Sequence, residues 1–332
     1  MSSSLPLLLG LLGLLCLLVL LLLHKVLLGH EAAESERATG GQLTTAPLSK
    51  VQLANCSRRD SRVFMPSRTS SAATRLLYSF PGSGNTWLRL LLDHSTASYS
   101  GSVYSDANLY RILPGERRCD STSVSVVKAH PHLQTFQHFA TRDLPSKCAL
   151  LNPTVSHLVF LIRNPYQAIW SEYQRRKSRG KHNRLIAKDY ASWHSASAQE
   201  HWHKMSRNLA KKWVEQWSEV DKFQSNGTKV VTVYLEDLLG DDKEQVLSKI
   251  VDFIAVGAAS ASAITCAFKL AETPVAHRRS RVATGRAALR NTVSIEDAFR
   301  TKESVCSLWA ILGAEAKARA TLYSPYGNFT CN

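Results

Sequence analysis

Tyr78 to Arg89 reads "YSFPGSGNTWLR". It joins a short buried-strand pattern, "RLLYSF" (75–80), to "NTWLRLLLDH" (85–94), whose apolar spacing suits a helix. Pro81, Gly82, Ser83 and Gly84 form the turn between them. Two glycines there allow a tight turn with backbone N–H groups converging on one point, and the helix that follows adds the positive end of its dipole. Asn85 and Thr86 add side-chain donors at the helix start. A strand, a glycine turn and a helix in this order favour a bound anion. The triphosphate pattern G-x-x-x-x-G-K-[ST] is absent, which argues against a Walker-type nucleotidase.

Outward from this loop the texture repeats. "SVSVVKAH" (123–130), "HLVFLIR" (157–163) and "KVVTVYLEDL" (229–238) are apolar, β-branched runs that read as strands. Between them, 167–179, 198–223 and 241–255 have helical spacing, and "VGAASASAIT" (256–265) reads as a loop entering a helix. Strands alternating with helices predict an α/β fold, a central parallel sheet flanked by helices, over residues 74–332.

The 332 residues carry 41 Lys plus Arg against 26 Asp plus Glu, a net charge of +15. A surplus of that size predicts an anionic partner. Leu5 to Leu23 has no polar side chain beyond Cys16, and its length matches a bilayer core better than a cleaved signal peptide. The expected layout is a cytosolic tail (1–4), a transmembrane anchor (5–23), a stem rich in Ser, Thr, Ala and Gly (24–73) and a lumenal domain. Three sequons follow the anchor, at Asn55, Asn226 and Asn328, with six cysteines suited to disulfides in an oxidising lumen. A single-pass type II protein of the Golgi membrane is the expectation. Nucleic acid is then not the partner, and the charge points to lumenal anions.

Two further elements carry chemistry. In "FLIRNPYQAIWSEY", Arg163 ends a strand and Ser171 lies about two helical turns further on, a planar fork and a hydroxyl for one phosphate. In "VVKAHPH", Lys128 and His130 alternate out of a strand end, so both can face one cleft. A histidine base beside a cation that neutralises a leaving oxygen suits group transfer, with His132 as the second candidate base.

These elements, in this order, resemble the PAPS-dependent sulfotransferases, whose donor is 3′-phosphoadenosine 5′-phosphosulfate. The resemblance places Pro81, Gly82, Ser83, Gly84, Asn85, Thr86 and Trp87 on the 5′-phosphosulfate, with Trp87 able to stack on adenine. It makes Lys128 and His130 the catalytic pair and gives Arg163 and Ser171 to the 3′-phosphate. "VYLEDLLGDDKEQVLSKIVDFI" is similar to a later family segment, which puts Tyr234 near the adenine. The likeness runs over roughly 75–256 and looks closest to the WSC-domain-containing sialate O-sulfotransferase branch. This chain carries no cysteine-rich WSC module ahead of that region.

There are two departures. Many cytosolic members carry a lysine where Gly82 stands, and its loss leaves the transferring charge to backbone N–H groups, Lys128 and Arg89. A later basic segment for the 3′-phosphate has only "HRRSRVATGR" (277–286) as its counterpart. The implied activity is sulfuryl transfer to a hydroxyl of an anionic or neutral glycan, sialic acid among the candidates, with no metal. The alternative is a Golgi type II glycosyltransferase using a nucleotide sugar, for which "GDD" (240–242) is the nearest acidic cluster. His201 and His203 read as helix surface, because zinc-ligand spacings are absent. "RRKSRGKH" (175–182) reads as a solvated basic face, as a recruiter of acidic glycan or as part of a cofactor lid.

Overall fold

A computed structural model describes Cys56 and residues 74–104, 106–119, 123–131, 155–177, 192–254, 259–271, 293–318 and 331. The expected anchor and nearly all of the expected stem lie outside them, as do His132 and the 277–286 segment. Among the described residues no helix is long and apolar enough to cross a membrane.

Five strands form one sheet: β1 (Thr74–Ser79), β2 (Gly101–Ser102), β3 (Val127–Ala129), β4 (Val155–Ile162) and β5 (Lys229–Tyr234). Their spatial order is β2-β3-β1-β4-β5, and every pairing is parallel. The expected α/β architecture is therefore present. β1 sits in the middle, with Leu77 beside Lys128 on β3 and Tyr78 beside Phe160 on β4. The chain leaves β1 toward one edge and returns to the other side through β4, so the carboxyl ends of β1, β3 and β4 surround a switch point. In open α/β sheets ligands bind there.

Strand alternation sends side chains to two buried faces, as a parallel sheet covered on both sides requires. Leu76, Tyr78, Leu158, Phe160 and Ile162 join one core with α2 (Pro165–Lys177), α3 (Ala196–Ser225) and α7 (Lys302–Ala318). Leu77, Val159 and Leu161 join the other with α1 (Asn85–Thr96), α4 (Lys243–Ile254) and α5 (Ala261–Ala271). A short helical turn, α6 (Ile295–Ala298), precedes α7 and is closed by a capping box between Ser294 and Asp297. Trp170 and Tyr173 of α2 meet Trp193 and Trp202 edge to face, and each ring removes about 150–250 Å² from water. Trp213 and Trp217 are buried in the same core. The tryptophans of α3 are packing residues.

Three structural details bear on the expected compartment. Cys56, within the expected stem, is disulfide-bonded to Cys266 on α5, and Cys306 on α7 to Cys331. Cys119 is also disulfide-bonded. Asn226, in the sequon at the end of α3, is exposed.

Candidate active site

The loop after β1 turns on two left-handed glycines, Gly82 and Gly84, both at φ 88°. A side chain has little room at either. A Cβ on Gly82 would sit 2.7 Å from the Ala168 carbonyl oxygen and 3.0 Å from Ser171 Cβ. One on Gly84 would meet Leu235 Cδ1 at 2.8 Å. The loop is thus pressed directly onto α2, and this gives the missing lysine at position 82 a physical reason. A lysine there would need both a disfavoured backbone and a displaced helix. The first turn of α1 carries no acidic residue, so no carboxylate within that turn offsets its dipole end. Asn85 is held by its amide, which donates to Ser79 Oγ at 3.0 Å, and its buried Oδ1 has no partner.

β3 delivers Lys128 and His130 beside this loop. His130 Nδ1 lies 2.7 Å from the Ser79 carbonyl oxygen. A carbonyl only accepts, so Nδ1 carries the hydrogen and Nε2 keeps its lone pair in the neutral ring. Burial, then the neighbouring Lys128 charge, push the His130 pKa well below the ordinary histidine value, against the Ser79 hydrogen bond. The imidazole is therefore neutral at physiological pH. Lys128, 8% exposed, is lowered to about 8 by burial, which outweighs the opposing pull of Glu116. Its ammonium lies 5.4 Å from the centre of the Tyr104 ring, and that ring is 5.3 Å from the His130 ring. Tyr104 thus packs against both catalytic candidates.

β4 and α2 supply the third wall. Arg163 Nη1 donates to the Gly82 carbonyl at 2.8 Å, while Nε and Nη2 donate to Gln167 Oε1 at 3.2 and 3.1 Å. The guanidinium thereby splints the phosphate loop to the start of α2. Next to Ser171, buried Glu172 accepts from Arg175 Nε at 2.5 Å and Nη2 at 2.7 Å, and from Arg176 Nε at 2.7 Å. Bidentate contact to a buried carboxylate fixes Arg175 more firmly than an exposed pair would.

Pro81, Gly82, Gly84, Asn85 and Thr86 share the lining of one cavity of about 520 Å³ with Lys128, His130, Arg163 and Ser171. Nine of the residues singled out in the sequence meet there. Three do not line it. Ser83 is fully buried with an unpartnered Oγ, Trp87 packs 6.0 Å from Phe268, and Tyr234 lies against the first core at the end of β5. The cavity also contains Tyr104, Asp106, Glu172, Arg175 and Arg176, which the sequence reading had not assigned. Only the two arginines gave a signal, as part of the basic run. Counting charges, Lys128, Arg163, Arg175 and Arg176 outnumber Asp106 and Glu172, so the cavity suits an anion.

Arg89 is a correction. Expected as a cation for the transferring group, it is instead fully buried on α1, ion-paired with Glu116, with Nε and Nη2 donating to Ser100 Oγ (3.0 Å) and O (2.9 Å). Its helical position turns it away from the cavity and toward the turn Pro114–Arg117, a partner too distant in sequence to foresee. Asp241 and Asp242 precede α4 and do not line the cavity. Among the described residues no cluster of His, Cys, Asp or Glu could hold a metal ion.

Comparison with known proteins bears on this constellation directly. The sulfotransferase domain family model matches residues 74–269. WSCD family member CG9164 of Drosophila melanogaster is 31% identical over 199 residues, covering 57% of this chain and 54% of that protein. WSCD family member AAEL009094 of Aedes aegypti is 41% identical over 100 residues, 30% of this chain and 26% of that one. The chain thus spans about half the length of the first of these relatives. Among solved structures, mouse sulfotransferase SULT7A1 complexed with PAP aligns over 74% of this chain and 75% of that one, at 16% identity and a TM-score of 0.36.

Proposed function

The chain belongs to the sulfotransferase domain family, and we propose on that premise that it moves a sulfuryl group from 3′-phosphoadenosine 5′-phosphosulfate to a hydroxyl of a glycan. The observation that carries this reading is His130. Its Nε2 keeps a lone pair in the neutral ring, and the residue lines a cavity shared by a glycine loop, a helix N-terminus and four cations against two carboxylates.

The residues present fit the donor. A turn whose Gly82 and Gly84 carry no side chain and a first helical turn without carboxylates leave a helix N-terminus suited to a phosphorylated group. Gly82, Gly84, Asn85 and Thr86 would hold its 5′ side, and Arg163 with Ser171 its 3′-phosphate. The donor supplies the sulfuryl group and leaves as the 3′,5′-bisphosphate. His130 Nε2 takes the proton of the acceptor hydroxyl as that oxygen bonds to sulfur and the bond from sulfur to the bridging oxygen breaks. Lys128 balances the negative charge left on that bridging oxygen. General-base assistance of this kind contributes about 10²–10⁴-fold.

The reading extends to place and acceptor. The disulfides at Cys56, Cys119 and Cys306 support an oxidising compartment, in keeping with a type II Golgi protein anchored by residues 5–23. The cationic cavity supports an acceptor that is itself anionic, such as sialic acid. Transfer of radiolabelled sulfuryl onto a panel of sialylated, uronic-acid and neutral glycans tests this. Label on a sialylated glycan that disappears after sialidase treatment is the expected result, and label confined to neutral glycans would overturn the acceptor assignment.

A further inference from the structure

Arg176 belongs to two depressions. It closes one side of the cavity that holds Lys128 and His130, and it also lines a groove of about 490 Å³ running along α3. Held by Glu172 through Nε, its side chain is still 41% exposed. Beyond it the groove carries Lys204, Lys211 and Lys212, with Glu215 as the one carboxylate in its lining. Lys204, Asn208, Lys211, Lys212 and Glu215 recur at helical spacing, so they form one stripe on α3. The floor is apolar: Leu209 is 1% exposed, and Met205 packs onto the same core. His201, at the end near α2, has its pKa lowered by burial and then by the charges of Lys177 and Lys204. The two lysines thus add to burial in disfavouring a proton on His201.

We propose that this groove binds the outer residues of an extended anionic glycan whose acceptor sugar enters the cavity past Arg176. The inference rests on the proposed sulfotransferase function and adds to it a polymeric, negatively charged acceptor. From His201 to Lys212 the stripe spans ~16 Å, longer than a single monosaccharide. An apolar floor between cationic rims matches pyranose rings, which present C–H faces between carboxylate or sulfate groups. Other polyanions fit less well. Single-stranded nucleic acid is held by stacking on aromatic side chains, and no Phe, Tyr or Trp lines the groove. A membrane-binding face projects large apolar side chains into the interface. Among the described residues only Tyr110 and Leu239 are exposed large hydrophobics, and neither lies in the groove.

The test is equilibrium binding of fluorescently labelled oligosialic acid of one, three and six residues to the full-length chain. The wild type is compared with the Lys204→Ala/Lys211→Ala/Lys212→Ala variant. The wild type should bind the hexamer at least about tenfold more tightly than the monomer at low salt and lose that advantage at ~1 M salt, where screening is nearly complete. The triple variant should lose the length advantage at all salt concentrations, with its bisphosphate-induced thermal shift unchanged. Lys222→Ala, on α3 outside the groove, should retain it. A triple variant that keeps the advantage overturns the proposal, as does a wild type that shows none. Tighter binding of single-stranded DNA or of anionic vesicles than of the hexamer overturns it too. Absence of any bisphosphate-induced shift in the wild type would sink the sulfotransferase reading instead, and the binding comparison would still report on the groove.

Discussion

His130 and Ser79 are joined across two neighbouring strands by a hydrogen bond from the imidazole Nδ1 to a backbone carbonyl, at 2.7 Å. The acceptor is main chain, so the tautomer of His130 is set by the end of β1, the same element that delivers the phosphate loop. The proposed base and the proposed donor cradle therefore share one rigid origin. Replacing His130 by alanine should lower kcat by at least about 10² while leaving the bisphosphate-induced thermal shift intact. Full transfer activity in that variant would remove His130 from the mechanism.

The two titrating groups predict an asymmetric pH profile. His130 must be neutral to act as a base, and its pKa is depressed by burial and by Lys128. Activity therefore persists below the ordinary histidine pKa of ~6.5 as pH falls. Lys128 must be charged, and burial lowers it to about 8. As pH rises through that value the ammonium is lost and kcat/KM should decline. In Lys128→Arg, whose charge does not titrate, the alkaline limb should vanish even if the plateau drops. An alkaline limb at the same pH in that variant would assign it to another group.

Gly82 cannot be exchanged for a residue with a side chain. Its φ of 88° and the Ala168 oxygen 2.7 Å from an added Cβ make Gly82→Ala both strained and crowded. A cost of about 1–3 kcal/mol in unfolding free energy is expected, with at least tenfold weaker bisphosphate binding as the loop lifts from α2. Denaturant melts and calorimetric titration of the same variant check both. Unchanged affinity would mean that the loop does not grip the donor.

The Cys56–Cys266 disulfide closes a separation of 210 residues and ties the segment before β1 to α5. Removing it by Cys56→Ser/Cys266→Ser should destabilise the protein by about 2–4 kcal/mol in denaturant unfolding under non-reducing conditions. The cavity, which neither cysteine lines, should bind the bisphosphate as before. An unchanged midpoint would show that the cross-link constrains nothing in the unfolded chain.

Legibility in the sequence followed the physics of each element. β1, the glycine turn and α1 could be read because a strand and a helix have different apolar periods and the glycines mark the change. β2 could not: Gly101 and Ser102 are too few for any period, and their pairing exists only because β3 offers an edge. Tyr104, two residues on, was invisible for the same reason. The run 256–265 read as a loop entering a helix, and α5 does begin within it at Ala261, where Ser260 Oγ accepts from the Ala263 N–H at 3.3 Å. Lys128, His130, Arg163 and Ser171 were legible because they sit at strand ends or a fixed number of helical turns beyond one. Arg89 was misread because Glu116 and Ser100, its partners, come from a turn and a strand start that no local pattern places beneath α1.

The most direct test of the donor site is the thermal stability of the protein titrated with 3′-phosphoadenosine 5′-phosphate, in wild type and in Arg163→Ala. Arg163 bonds to the Gly82 carbonyl at 2.8 Å and lines the cavity, and losing a charge-assisted contact costs about 1.5–3 kcal/mol. The account predicts a saturable rise in melting temperature for the wild type and roughly 10- to 100-fold weaker binding in the variant, since each 1.4 kcal/mol is tenfold. Stabilisation by UDP-sugars with manganese and none by the bisphosphate would contradict it.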